Sequence, residues 1–290
     1  MSAKHEIPDG IIGRMGGKEL VFGEHLVTLP DANSILDNPD AMRRRLADEA
    51  FLFFRGLHDP KLVARARREV LQEIDRQGGI APDTSLDDAV IADNNGHLPD
   101  GTRIGVDEDQ VRGGMASLLE LVSGEGMLGF FDDLLDGPVR TYTHKWIRIY
   151  QPGTATDVHY DAPYMGRDAP DLVITAWTPL GHISVDMGPI VLVPGSNRLE
   201  RLKADYGKED AIRERSTGYL TNDPLDVIDN YDLKFATAVF EPGDMLLFTK
   251  YILHGSLENT TDRYRLSTDT RYQRADEKHD EHYTFEQRTA

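Results

Sequence analysis

The chain of 290 residues contains no cysteine. That absence removes disulfides, zinc–thiolate sites, iron–sulfur clusters and cysteine nucleophiles together, so any bound metal must be held by nitrogen and oxygen. Positive charge is also scarce: 32 lysines and arginines face 50 aspartates and glutamates, giving a formal net charge of −18. Such a surface repels a nucleic-acid backbone or an anionic membrane, and neither is expected as a partner. Long apolar runs are missing as well. No stretch approaches the roughly 20 residues that span a bilayer, and the opening "MSAKHEIPDG" has no apolar signal-peptide core, so a cytoplasmic protein is expected. With 39% hydrophobic residues, and 26 glycines and 15 prolines spread along its length, the chain reads as one elaborated domain over 1–290 with a sizeable core.

The texture of what is present changes near residue 138. Before it, "NPDAMRRRLADEAF" and "HDPKLVARARREVLQEIDRQ" each begin with a proline-containing start signal and then space apolar residues three and four apart, which predicts helices. Between them "FLFFRGL" reads as a buried strand. The stretch "PDTSLDDAVIADNNGHLPDGTRIGVDEDQ", rich in acids and turn signals, reads as a long surface loop or a lid. From about Tyr142 short β-like runs alternate with turns: "YTHKWIRIY", "LVITAWTPL", "GPIVLVPGS", "ATAVFEPGD", "MLLFTKYILHGS" and "YRLSTDTRYQ". Residues 1–137 are thus expected to be mostly helical with a long polar loop, 138–273 to form a β core, and 274–290 to be a polar C-terminal tail. No helical pattern separates the β runs, which argues for a sandwich or barrel and against a parallel βαβ sheet.

Inside the β core, "DVHYDAPY" sets His159 and Asp161 two residues apart. On a strand both side chains would share one face, as two ligands of one ion must. Among the 10 histidines, His254 is the best third ligand, because it ends the strongly apolar run "MLLFTKYIL" and precedes "GS". Two imidazoles and a carboxylate with three open positions suit a non-haem Fe(II) oxygenase, while zinc in a hydrolytic site is the competing metal. An oxygenase that uses 2-oxoglutarate must also grip that molecule's distal carboxylate, and arginine offers the matching fork. Arg265 and Ser267 fall on the next strand-like run, two apart and on one face. A metal hydrolase or isomerase would have no use for Arg265, and a non-catalytic β-sandwich binding module would not need His159, Asp161 and His254 together.

These residues carry a family resemblance. "HYD" at His159–Asp161, "AWTPLGHIS" at Ala176–Ser184, "GPIVLVPGSN" at Gly188–Asn197, "PGD" at Pro242–Asp244 and "LHGSLENTTDRYR" at Leu253–Arg265 resemble the phytanoyl-CoA dioxygenase-like family of Fe(II)/2-oxoglutarate oxygenases. "FLFFRGLHDP" is similar to the usual start of such proteins. The resemblance implies a mainly β fold with flanking helices, built on a double-stranded β-helix (a cupin-like jelly roll) as the catalytic core. It implies that His159, Asp161 and His254 bind Fe(II), and that Arg265 holds 2-oxoglutarate with Ser256 as a second polar contact and Ser267 beside it. Trp177 and Ile147 would line the co-substrate. With O2 as the other co-substrate, the expected outcome is oxidation of a C–H bond, most simply hydroxylation, with release of succinate and CO2. Because Asp161 stands where halogenating relatives have a small residue, halogenation is not expected.

The sequence departs from the family at Asn197, where histidine is usual, and at "DMG" before the following strand. Both departures bear on substrate contacts. A small-molecule substrate is expected, and an anionic one is suggested because Arg148 and Arg167, with Lys145 and Arg198, flank the metal motif in an acidic chain. Pairing of these cations with local acids such as Asp168 and Asp171 is the alternative. Tyr160, Tyr164 and Met165 interleave or follow the ligands and are candidates for the pocket wall. Residues 84–113 or 199–232 would supply a lid, and no oligomeric state is written in these motifs.

Overall fold

The computed structural model describes residues 6–166 and 168–286. Arg167 lies outside the described residues. Among the described residues thirteen strands form, in chain order: β1 (Ile12–Met15), β2 (Lys18–Val21), β3 (Leu26–Thr28), β4 (Phe51–Phe54), β5 (Val139–Thr141), β6 (Trp146–Tyr150), β7 (Thr156–His159), β8 (Ile174–Pro179), β9 (Ile190–Leu192), β10 (Phe235–Thr237), β11 (Met245–Thr249), β12 (His254–Ser256) and β13 (Arg265–Arg274). Apart from the β1–β2 hairpin they build two sheets. A minor sheet runs β3-β10-β9-β12-β7, and a major sheet runs β4-β11-β8-β13-β5 with β6 also on β13. Neighbours in both are antiparallel except β3 and β10. This is the expected jelly-roll arrangement of two sheets face to face.

The unbroken apolar run "FLFF" has its explanation in β4, which is buried on both faces. Phe51 and Phe53 join Trp177, Leu192, Phe240 and Phe248 in the core between the sheets. Leu52 and Phe54 point the other way and meet Phe131, Leu247 and Tyr272 under the helices. Strands β3 and β4 precede residue 138 in sequence yet sit in the two sheets, because the interior needs apolar side chains from both ends of the chain.

Those helices are α1 (Pro39–Glu49), α2 (Pro60–Arg76), α3 (Glu108–Gly114), α4 (Ala116–Ser123) and α5 (Glu125–Leu135). Proline at the first position and a capping side chain explain the two sharp starts: Asn38 accepts from the Ala41 amide and Asp59 from the Lys61 amide. The helices cover the outer face of the major sheet through two apolar clusters, one centred on Phe131 and one on Val70, Leu118 and Leu266. Further on, the short α6 (Ala162–Met165) follows β7. No helix among the described residues is long and apolar enough to cross a membrane.

Two stretches are more ordered than their composition suggests. The polar segment before α3 is bridged to the β core by Val90 opposite Arg263, and its end starts α3 through a reciprocal capping box between Asp107 and Gln110. The segment read as a polar tail folds back as far as it is described. Asp280 is fully buried and pairs with Arg213 at 2.9 Å, and Phe285 bridges Tyr142. A buried carboxylate needs a partner, and an arginine from a remote segment is invisible to local composition.

Candidate active site

The site begins with register. His254 on β12 lies directly opposite His159 on β7, while Ser256 lies opposite Thr156. Three residues of β12, 254–256, therefore face four of β7, 156–159, a β-bulge, and the extra residue turns both Thr156 and His159 to the inner face. The imidazole centroids stand 4.1 Å apart. Gly255 lets the strand carry the two inward side chains at this spacing: a Cβ there would come within 2.6 Å of the Thr156 carbonyl and of Met15 on the outer face.

Asp161 arrives differently from the expected shared strand face. β7 ends at His159, and Asp161 sits in a turn at the start of α6 with helical φ and ψ. The turn, rather than strand alternation, swings its carboxylate to within 3.7 Å of His254 Nε2. Ligating atoms of His159, Asp161 and His254 all lie within 4.8 Å of one another, and the three side chains are buried. Each histidine ties its Nδ1 to a carbonyl two residues earlier, Asp157 at 2.8 Å and Ile252 at 3.1 Å. Nδ1 then carries the proton, and Nε2 presents a lone pair to the shared centre.

Electrostatics fit the same use. Burial, followed by the neighbouring His254, pulls the His159 pKa down to about 3 against the attraction of Asp161. Burial likewise lowers His254. Burial alone would raise Asp161, yet Arg271, followed by the two histidines and the Thr175 hydroxyl, holds it well below the usual carboxylate range. At neutral pH the group is thus two neutral imidazoles and one carboxylate, the protonation states that bind a metal. This donor set, nitrogen and oxygen with no sulfur, suits Fe(II).

A narrow cleft leads from the two histidines past Trp177 and Ser256 to Arg265. Arg265 is 1% exposed; its Nε donates to the Gly188 carbonyl at 2.9 Å, its Nη1 to Ser267 Oγ at 2.8 Å, and its guanidinium lies 3.7 Å over the Tyr150 ring. Gly188 is required where it stands: its φ is +75° and a Cβ would lie 2.6 Å from the Leu257 carbonyl. Ser256 Oγ accepts from the Thr156 amide at 2.8 Å, and Thr156 in turn bonds Tyr150 OH. Trp177 faces inward on β8, edge-on to Phe240.

Other expected site residues land elsewhere. On β6 the alternation sends Trp146, Arg148 and Tyr150 inward and Ile147 outward, where it packs under the helices with Leu266. Ile147 therefore does not line the cleft. Tyr160 alternates away from His159 into the outer core of the minor sheet, stacks on Tyr206 and donates to the Ser196 carbonyl at 2.7 Å, so it is packing. Asn197 faces a separate surface cavity beside Arg198 and bonds the Asp48 carbonyl. Arg198 pairs with Asp48 and Lys145 with Glu286, both away from the cleft. Met165 is buried in a cluster with Tyr142 and Val173. Tyr164 does stand at the site, its ring 5.5 Å from that of His159 and edge-on. Arg148 lines the cleft, but its acidic partner is Asp269, bonded through Nε at 2.9 Å and Nη2 at 2.7 Å, and neither Asp168 nor Asp171.

Four residues of the site were not expected from the motifs. Asp269 and Arg271 continue the period of two begun by Arg265 and Ser267, so all four face inward from β13. That alternation in "RLSTDTR" is a usable signal. Tyr150 follows Trp146 and Arg148 by the same rule. Tyr219, from the 199–232 stretch, brings its ring to 5.6 Å from His159 and has no local signal.

Fold and site together define a jelly-roll oxygenase of the non-haem iron type. Residues 51–267 match the phytanoyl-CoA dioxygenase (PhyH) family, and the chain belongs to it. It is accordingly an iron- and 2-oxoglutarate-dependent dioxygenase. It is similar to the 1-deoxypentalenic acid 11-beta-hydroxylase of Streptomyces arenae, 26% identical over 259 residues and covering 84% of each chain. The fold is also that of the epimerase SnoN from nogalamycin biosynthesis, solved with Fe3+, alpha-ketoglutarate and nogalamycin RO, at TM-score 0.56 and 21% identity over 82% of this chain and 84% of that one. EctD from S. alaskensis, solved with 2-oxoglutarate and 5-hydroxyectoine, matches at TM-score 0.56 and 14% identity over 87% and 85%.

Proposed function

We propose that His159, Asp161 and His254 hold the Fe(II), that Arg265 binds the distal carboxylate of 2-oxoglutarate, and that the enzyme hydroxylates a small molecule bearing an anionic group. The observation that carries this is a single cleft with His159 and His254 at one end, Asp161 clustered with them, and a buried guanidinium at the other. Iron bound there supplies the oxidising chemistry: substrate C–H, 2-oxoglutarate and O2 become substrate C–OH, succinate and CO2. The chain's own part is binding and placement. Arg265, pre-set by Gly188, Ser267 and the Tyr150 face, offers a fork that matches a carboxylate in both charge and shape. Ser256 and Tyr150 line the route between the two ends. Tyr164 and Tyr219, edge-on to His159, wall the side from which a substrate reaches the centre and exclude water there.

An anionic substrate follows from local charge. The inner row holds three guanidiniums, Arg148, Arg265 and Arg271, against two carboxylates, Asp161 and Asp269. A divalent cation and a dianionic co-substrate leave that excess of one positive charge unchanged, in a protein whose formal charge is −18. Such a reversal of sign favours an anion at the site. Among the described residues Arg148 gives Nε and Nη2 to Asp269 and makes no hydrogen bond with Nη1, and its side chain is 35% exposed.

Anaerobic titration of the protein with Fe(II) and then 2-oxoglutarate tests the core of the reading through the visible charge-transfer band of the chelated keto acid. No band at saturating concentrations of both would refute it. Succinate release stimulated by carboxylates, phosphates or phosphonates, and not by neutral or cationic analogues, is the expected pattern for the substrate.

A further inference from the structure

Behind Asp161 stands Arg271, which faces Thr175 across the β13–β8 pair. Its Nη2 donates to both carboxylate oxygens of Asp161, at 3.0 Å to Oδ1 and 3.1 Å to Oδ2. The Thr175 hydroxyl donates to Oδ2 as well. Oδ2 therefore accepts two donors and Oδ1 one, and it is Oδ1 that lies 3.7 Å from His254 Nε2.

We propose that Arg271, seconded by Thr175, is a positioning residue that turns Asp161 Oδ1 to the metal and holds Oδ2 back, keeping Asp161 a one-oxygen ligand. This rests on the reading of His159, Asp161 and His254 as the iron ligands. A chelating keto acid takes two positions and O2 one, so three protein donors must occupy three positions and no more. A carboxylate free to rotate can bind an ion through both oxygens and close the last position. Each carboxylate oxygen has two lone pairs, so one can face a metal while Arg271 keeps its bond.

The way Arg271 is buried supports a role tied to that carboxylate. It is 3% exposed, stacked 4.2 Å over Trp146, and among the described residues its Nε and Nη1 find no hydrogen-bond partner. Its second acidic neighbour, Asp269, is 3.5 Å from Nη1 and already accepts two bonds from Arg148. A guanidinium buried for stability has its donors satisfied. Here, among the described residues, the side-chain hydrogen bonds of the group go to Asp161 alone.

The test uses the metal-free full chain and Co(II) as a spectroscopic probe, read anaerobically without turnover. Arg271→Met keeps an unbranched side chain as far as the position of Nε while removing the guanidinium and its donors. Co(II) affinity should fall about 10- to 100-fold, the usual cost of losing the group behind a ligand, and the visible cobalt bands should change shape as the second oxygen engages. Arg271→Lys should recover the affinity only in part, because its ammonium sits on a stem one bond shorter than the one that carries Nη2 to both oxygens. Wild-type affinity and band shape in Arg271→Met overturn the proposal. If circular dichroism shows that Arg271→Met has not folded, Thr175→Val decides: it removes a single donor to Oδ2 without changing volume, and unchanged cobalt bands there overturn the proposal equally. His159→Ala separates the two levels. Unchanged Co(II) binding in that variant sinks the triad itself, whereas loss there with no change in Arg271→Met sinks only the positioning role.

Discussion

The space between the two sheets has two halves that share the same strands and differ in everything else. One is filled by Phe51, Phe53, Ile183, Leu192, Phe240 and Leu246, nearly all of them inaccessible. The other holds two imidazoles, two carboxylates and three guanidiniums, most of them buried as deeply. The apolar half is complete in itself, since side chain meets side chain and burial alone stabilises it. The charged half is not, because each buried ion costs desolvation that its neighbours only partly offset. Strand β8 crosses both, with Trp177 in the apolar core and Thr175 on the Asp161 carboxylate. The difference teaches that the fold is made by one half and that the other is kept, at some cost in stability, for what it binds.

If that division is right, substitutions should separate cleanly into those that remove function and those that remove the fold. The largest expected effect is in the charged half. His159→Ala, Asp161→Ala and His254→Ala should each abolish succinate formation and lower iron stoichiometry, with circular dichroism unchanged. Full activity and wild-type iron content in any one would take that residue out of the triad.

Phe53→Ala should do the reverse. Phe53 is fully buried and packs edge-on to Phe240, centroids 5.2 Å apart. Its loss should lower unfolding stability by roughly 3–5 kcal/mol in urea titrations, while the fraction still folded binds iron with normal stoichiometry. Impaired iron binding by folded protein would show the halves to be coupled.

Arg265 sharpens the comparison within the charged half. Arg265→Ala should raise the 2-oxoglutarate concentration needed for half-maximal turnover by about an order of magnitude or more, and Arg265→Lys should recover part of it. Iron affinity measured without co-substrate should stay at the wild-type value. A 2-oxoglutarate requirement unchanged in both variants would assign the carboxylate to another cation.

The smallest effect separates the halves by pH. The unfolded chain has histidines near the ordinary pKa of about 6.5, whereas His159 is held at about 3 in the fold and His254 is lowered too. Below the ordinary value the unfolded chain takes up protons that the folded one refuses. Stability of the metal-free protein should therefore be full above about pH 6.5 and fall toward pH 3, by about 1.4 kcal/mol per pH unit for each such histidine. His58, brought to about 4 by burial behind β8, adds a change of the same sign. Urea midpoints at pH 7.5 and 5.5 measure it, and His159→Phe should flatten the dependence. An unchanged slope in that variant would mean that His159 is protonated in the fold.

Much of this architecture is legible in the residues themselves. The helices after Asn38 and Asp59 announce themselves by proline and a capping side chain, and the β core by short apolar runs between turns. His159, Asp161, His254 and Arg265 stand out because motif order and spacing are properties of the chain itself. The period of two is reliable as well: applied further along "RLSTDTR" it reaches Asp269 and Arg271.

What a sequence specifies by itself is alternation: that Ile147 and Arg148 face opposite ways, and that Tyr160 opposes His159. It does not say which of the two faces is the interior, since apolar side chains cover both sides of the major sheet. That choice, made by the helices on one side and the minor sheet on the other, sends Ile147 out of the site, while packing against Tyr206 outside the minor sheet does the same for Tyr160. Nor does alternation survive a bulge or a turn. Thr156 and His159 face the same way only because β7 carries an extra residue against β12, and Asp161 reaches the histidines by leaving the strand. The partners of the buried charges, Asp269 for Arg148, Arg271 for Asp161 and Arg213 for Asp280, lie 121, 110 and 67 residues away. Desolvation demands a partner for each, and only the packing of remote strands decides which one it is.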